Sequence, residues 1–329
     1  MTAVIWTDVA QMFLYVAGAA LSLFVLLGEI PGGWPHVAAV AGAGHKFQMF
    51  DFRFALTGEF FTRTYSFWAG VLGGCFLTTA SHGTEQLIVQ RLLSARSQRE
   101  SRWALFASWL VIFGLFSVFL VIGVCLFVHY GDLRLPAPPS PDRIYPEFVW
   151  KNLPPVAAGL VIAAILAAAM SNLSAALNSL ASTSIMDFYR PLAGGAATPE
   201  SSLRWARLAT IGWGAVLFGV GLLARHWGSV LQAGLAIASI LYGSLLGVFL
   251  LGLLTRRTGE KAAMTAMIAG LILMLYVGSY TRIAWTWYVL IGTSFTFLTG
   301  YTTSWLIQEK VPVEHASGQT IGRGRDAGR

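Results

Sequence analysis

The chain has 329 residues, of which 56% are hydrophobic and only 11% charged, which excludes a disordered polypeptide and argues against a soluble globular one. Its net charge of +7 is spread over the loops between apolar runs, so it points to membrane orientation and away from nucleic acid. The two cysteines, Cys75 and Cys125, both lie inside apolar runs and offer neither a disulfide framework nor a metal-ligand spacing.

Runs long enough to cross a bilayer recur, and we read membrane segments at roughly 5–28, 64–92, 104–130, 154–186, 204–224, 229–254, 262–281 and 284–306. This pattern predicts an all-α polytopic membrane protein with about eight transmembrane helices. The first segment is long, carries Asp8 and lacks a basic flank, so it reads as a span and not as a cleaved leader. An aspartate in a membrane helix is a functional candidate, although behind Thr7 it also suits a helix-start cap.

The loop from Glu29 to Thr62 is rich in Gly, His and Phe. The second segment is unusual: Gly73, Gly74 and Gly83 each lower helix propensity by about 1 kcal/mol relative to Ala. Between them Thr78, Thr79, Ser81, His82 and Thr84 bring many donors and acceptors to membrane depth. A discontinuous helix exposing backbone near the midplane and a kinked helix satisfied by its neighbours both fit. The stretch from Arg91 to Arg102 is basic and helix-compatible, as an inside loop would be. The loop after the third segment, from Pro136 through Pro141 to Phe148, suits a cap with a short surface helix.

The fourth segment has no charged side chain between Lys151 and Asp187, yet Ser171, Ser174, Asn178 and Ser182 fall on one helical face. Such groups are costly in hydrocarbon unless paired, so the face should turn toward protein. Interhelical packing and coordination of a hard cation such as sodium both fit. Fourteen of the 22 Lys and Arg residues fall in one set of loops, which should be cytoplasmic, with both termini inside the cell membrane. The tail at 309–329 is polar and Gly-rich and should be disordered, beside a transporter domain over 1–308. No nucleophile–base motif, HExxH, GxSxG or phosphate loop is present, so nothing here argues for an enzyme.

Four blocks, in order, resemble the sodium:solute symporter family. The run from Gly83 through Glu85, Gln86, Gln90 and Arg91 to Ala95 is similar to its G-x-D/N-Q-x-x-x-Q-R-x-L-x-A signature, with Glu85 at the D/N position. The run from Ala168 through Ser171, Ser174 and Asn178 to Thr183, followed by Asp187 and Tyr189, resembles its A-A-x-x-S-S-x-x-S-x-L-N-S block. Ile5 to Gln11 and Tyr242 to Leu254 resemble two further segments.

The resemblance implies a LeuT-type fold of two inverted five-helix repeats. On that plan the segments starting near Thr7, 64, 154 and 229 correspond to the fifth, sixth, eighth and tenth core helices. This chain should then be an N-terminally truncated member and a partial inverted-repeat bundle. The resemblance further implies sodium-coupled symport of a small polar solute such as a sugar, amino acid, carboxylate or vitamin. Sodium would be the coupling ion, with no cofactor. Its ligands would be the Ala168 carbonyl, Ser171 and Asn172, the last standing where the family usually has Ser or Thr. A second sodium position would use Asp8 and Ser174, with Ala175 replacing an expected serine. Solute contacts would come from Thr78, Ser81 and His82, and from Gln232 on the tenth helix. Partners are then sodium, the solute and the lipid bilayer, and no nucleic acid. With the first four core helices absent, this chain alone should be inactive unless a separate chain supplies them. A non-functional remnant and a membrane sensor are the competing readings.

Overall fold

The computed structural model describes residues 2–54, 57–93, 95–134, 136, 138, 140–193, 198–224, 229–255 and 258–307. The side chains of residues 2–5, 7, 8, 86, 87, 90 and 91 fall outside that description, as does the tail at 309–329. In chain order the helices are α1 (Thr2–Glu29), α2 (Gly33–Ala43), α3 (Gly58–Thr62), α4 (Gly74–Gly83), α5 (Gln86–Leu93), α6 (Gln98–Asp132) and α7 (Ile144–Asn152). They continue as α8 (Pro155–Thr183), α9 (Arg190–Ala193), α10 (Pro199–Ala224), α11 (Val230–Leu254), α12 (Glu260–Tyr280) and α13 (Tyr288–Leu306). No strand occurs among the described residues.

Among the described residues, six helical stretches are long and apolar enough to cross a membrane: Val9–Glu29, Gln98–Asp132, Pro155–Ala193, Pro199–Ala224, Val230–Leu254 and Glu260–Tyr280. The other two expected spans are helical but differ in kind. The 64–92 segment is divided into a π turn at Ala69–Gly73, then α4 and α5. The last, α13, has 19 residues and carries many Thr, Ser and Gly side chains.

The chain forms two compact units. The first comprises Met1–Met49 and Ser94–Gly234. Its core gathers Leu26 of α1, Val37 and Ala41 of α2, Ile122 and Cys125 of α6, Phe148 and Val149 of α7, and Val161 of α8. One end is tied by polar contacts. The Asn152 amide donates to Glu29 Oε2 at 2.8 Å, and His129 Nδ1 lies 3.8 Å from the same oxygen. His36 Nε2 is 2.9 Å from Asp132 Oδ2. The C-terminal ends of α1, α6 and α7 therefore meet, and α8, starting beside them, runs back antiparallel to α1. Pro155 at the first position of α8 suits that start, because its fixed φ is helical and its missing N–H has no partner to lose. The loop after α6 does carry a short helix, α7. Its Tyr145 hydroxyl is 3.0 Å from Ser22 Oγ, and burial pushes the Tyr145 phenol up. In the same loop, Asp142 Oδ2 accepts the Val230 N–H at 2.9 Å and so caps α11.

The second unit comprises Phe50–Leu93 and Leu235–Arg329. Here α11 and α13 meet backbone to backbone: a Cβ on Gly243 would lie 3.0 Å from Gly292 Cα. Across the same contact Thr293 Oγ1 donates to the Gly243 carbonyl at 3.2 Å. Rings of Phe54, Phe60, Phe61, Trp68 and Trp287 pack edge to face beside the Ala284 N–H, which donates to the Phe61 carbonyl at 2.7 Å. The entering loop is held by Arg53, whose guanidinium donates to both Asp51 oxygens and holds that carboxyl at about 2.

Of the glycines in the second segment, Gly83 ends α4 at the interruption, whereas Gly73 and Gly74 do not break the helix. The chain stays helical through Gly73 and Gly74, and the interruption falls later, at Thr84 and Glu85. Gly73 is needed for close approach: a Cβ there would collide with the Thr286 carbonyl, while Gly74 has open space. Gly73→Ala should therefore destabilise the protein by about 1–3 kcal/mol through overpacking against backbone. Gly74→Ala should be neutral or stabilising by up to about 1 kcal/mol. Thermal unfolding of the detergent-solubilised variants checks this, and equal effects at the two positions would refute it.

Candidate functional site

The polar face of α8 and the interrupted α4–α5 segment both gather polar groups at membrane depth. On α8, Ala168 and Ser171 are half-buried, whereas Asn172, Ser174, Asn178 and Ser182 are exposed. Within this chain that face is therefore covered only in part. The buried residues of α8 are Ala158, Val161, Ala164 and Ala181, which pack within the unit. Ala164 stands two turns before Ser171 on the same helical face, so the difference along that face is one of level: its earlier turns lie beside the α1 crossing at Val161.

The level of the face is set by α1. A Cβ at Gly18 would come within 2.7 Å of Val161 Cγ2, so the two antiparallel helices cross in near-contact there. Asp8 lies ten residues before Gly18, and Ser171 ten residues after Val161. At 1.5 Å per residue both are about 15 Å from the crossing, in the same direction. The register therefore brings the Asp8 turn to the level of Ser171 and Ser174. The Asp8 side chain itself lies outside the described residues. Below this face the chain passes into a π turn, Ser184–Tyr189, entered through Ser184, whose hydroxyl donates to the Leu180 carbonyl and accepts from Trp213 Nε1 at 2.9 Å.

In the second unit, Thr78, Ser81 and His82 form one cluster on the last turns of α4. Ser81 Oγ donates to the Thr78 carbonyl at 3.2 Å. His82 Nδ1 is 2.9 Å from Ser81 Oγ and 3.2 Å from that carbonyl. A proton on Nδ1 serves the carbonyl and leaves Nε2 as an acceptor for a ligand hydroxyl or amide. Thr84 closes the helix, donating from both its N–H and its hydroxyl to the Ala80 carbonyl. Gln232 belongs to the first unit, in the first turn of α11, two residues after Val230, whose N–H is capped by Asp142.

Sequence reasoning missed one contact. At the interruption, Glu85 Oε2 accepts a 2.7 Å hydrogen bond from the Tyr242 hydroxyl of α11. Both residues are half-buried. The signal was available, because each sits in a block that resembles the family, but spacing cannot show that two segments meet. Tyr242→Phe removes the donor and leaves a half-buried carboxylate unpaired, which should cost about 1–3 kcal/mol. Hydrogen exchange at the amides of α5 should rise in Tyr242→Phe, with a smaller rise in Glu85→Gln, which keeps an acceptor. Unchanged exchange in both would show that the bond does not hold the interruption.

The sodium:solute symporter family model matches residues 1–270. The human sodium-coupled monocarboxylate transporter 1 is 28% identical over 282 residues, covering 84% of this chain and 45% of that protein. The sodium/sialic acid symporter NanT of Aliivibrio fischeri is 28% identical over 306 residues, covering 92% of this chain and 59% of that protein. A solved structure of a Na+-coupled sialic acid symporter, in a substrate-bound outward-open state with a novel Na+ site, superposes with a TM-score of 0.73 at 26% identity. That match covers 92% of this chain and 62% of the other. The chain thus spans roughly half to three-fifths of the length of the proteins it matches. With its helical spans and the match over most of its length, the chain is a multi-pass membrane protein that belongs to the sodium:solute symporter family.

Proposed function

We propose that this chain is part of a secondary transporter, not an enzyme, that couples inward sodium movement to uptake of a small polar solute. The observation that carries this reading is the α1–α8 register, which sets the Asp8 turn level with Ser171 and Ser174. A carboxylate, two hydroxyls, the Asn172 amide oxygen and the Ala168 carbonyl are hard oxygen ligands suited to a group I cation. The solute would meet Thr78, Ser81 and His82 on α4. Relatives are named for monocarboxylates, multivitamins and sialic acid, which support the class of small polar solute.

Because most of the α8 face is exposed here, we propose that another segment covers it and completes the sodium shell, whether from a longer form of this chain or from a separate polypeptide. The chain alone should then be inactive. The lysine and arginine asymmetry supports a cell-membrane protein with both termini in the cytoplasm. One sodium ion entering down 100 mV supplies about 2.3 kcal/mol, which sustains roughly fiftyfold accumulation of a neutral solute.

Proteoliposomes test the proposal with a panel of labelled monocarboxylates, sialic acid and vitamins. The chain alone should show no sodium-driven uptake. The chain together with the sequence encoded upstream of it should take up a panel member only under an inward sodium gradient. Equal uptake in sodium and potassium would overturn the coupling, and uptake by the chain alone would overturn the need for a covering segment.

A further inference from the structure

The basic stretch at the start of α6 has no part in the proposed transport site, yet its side chains border an open surface groove. Arg99, Arg102, Trp103 and Phe106 line a groove of about 300 Å³. The turn that carries them is fixed by a capping box: Ser97 Oγ accepts the Glu100 N–H at 3.2 Å, and Glu100 Oε2 accepts the Arg96 N–H at 3.0 Å. Glu100 is thereby engaged with the cap. Both Arg99 and Arg102 are exposed, and neither has a carboxylate within ion-pair distance among the described residues.

The depth of the groove follows from the helix. From Trp103 to Val128 α6 carries no charged side chain, while Arg96, Arg99 and Arg102 precede that run. With 35 residues, α6 is about 52 Å long against a hydrocarbon core of about 30 Å, so its first turns extend past the core. Arg102 and Trp103 then mark the interface, where guanidinium groups meet lipid phosphate and indole rings settle. Below them an exposed aromatic row continues toward the core. Trp103, Phe106, Trp109 and Phe113 have successive ring centroids 5.9, 5.7 and 5.8 Å apart.

We infer that this groove binds an anionic phospholipid, its phosphate on Arg99 and Arg102 and its acyl chain along the Trp103–Phe113 row. Charge complementarity selects the headgroup, since the guanidinium pair lacks a carboxylate partner among the described residues. The continuous aromatic wall selects a lipid over a free phosphate.

Native mass spectrometry of the full chain, equilibrated with equimolar phosphatidylglycerol and phosphatidylcholine, tests this. Wild-type protein should retain phosphatidylglycerol preferentially. At about fivefold per arginine, Arg99→Gln/Arg102→Gln should lower that preference by about 25-fold. The charge-matched Arg204→Gln/Arg207→Gln control should keep it. Trp103→Ala/Phe106→Ala should weaken retention while leaving the arginines in place. Phosphatidylglycerol preference that survives Arg99→Gln/Arg102→Gln, or falls equally in the control, overturns the site. Displacement of the lipid by inorganic phosphate at matched ionic strength overturns the acyl-chain half of the assignment.

Discussion

The crossing of α1 and α8 at Gly18 and Val161 is the contact on which the rest of the proposed site depends. With no side chain at Gly18, the two backbones come close enough that a methyl group there would meet Val161 Cγ2 at 2.7 Å. Antiparallel helices in such contact cannot slide without collision, so their register is fixed. Residues equidistant from the crossing are then held at one depth, and this is how an aspartate and a serine 163 positions apart come to share a level. The tie between Glu29 and Asn152 at the far end secures the same register from a second point.

A polar group in hydrocarbon needs a partner, and the two units meet that requirement differently. In the second, Glu85 stands where the helix is interrupted and is paired with Tyr242, while Ser81 and His82 bond to each other and to the Thr78 carbonyl. In the first, Ser174, Asn178 and Ser182 stay exposed within this chain. Bound sodium and a covering segment would supply the missing partners together, which makes the requirement itself a reason for sodium to promote closure of the site.

Helices, their order and the polar face of α8 were legible in the sequence because hydropathy and a 3.6-residue period are local properties. The short helix in the loop after α6 was legible for the same reason. What the sequence did not disclose was non-local. Gly73 and Gly74 look alike as helix-weakening residues, but only Gly73 faces the Thr286 carbonyl. The face of α8 was expected to turn inward on solvation grounds, and within this chain it does so only in part, since Ala164 is buried while Ser174 and Asn178 on the same side are exposed.

The central claim, that the α8 face is half of a sodium site, is tested most directly by the reactivity of a cysteine placed on it. Ser174→Cys in a Cys75→Ala/Cys125→Ala background reports access of a maleimide to the face. In the chain together with its upstream-encoded sequence, alkylation should slow several-fold when sodium replaces potassium. Equal rates in the two ions there would contradict the account.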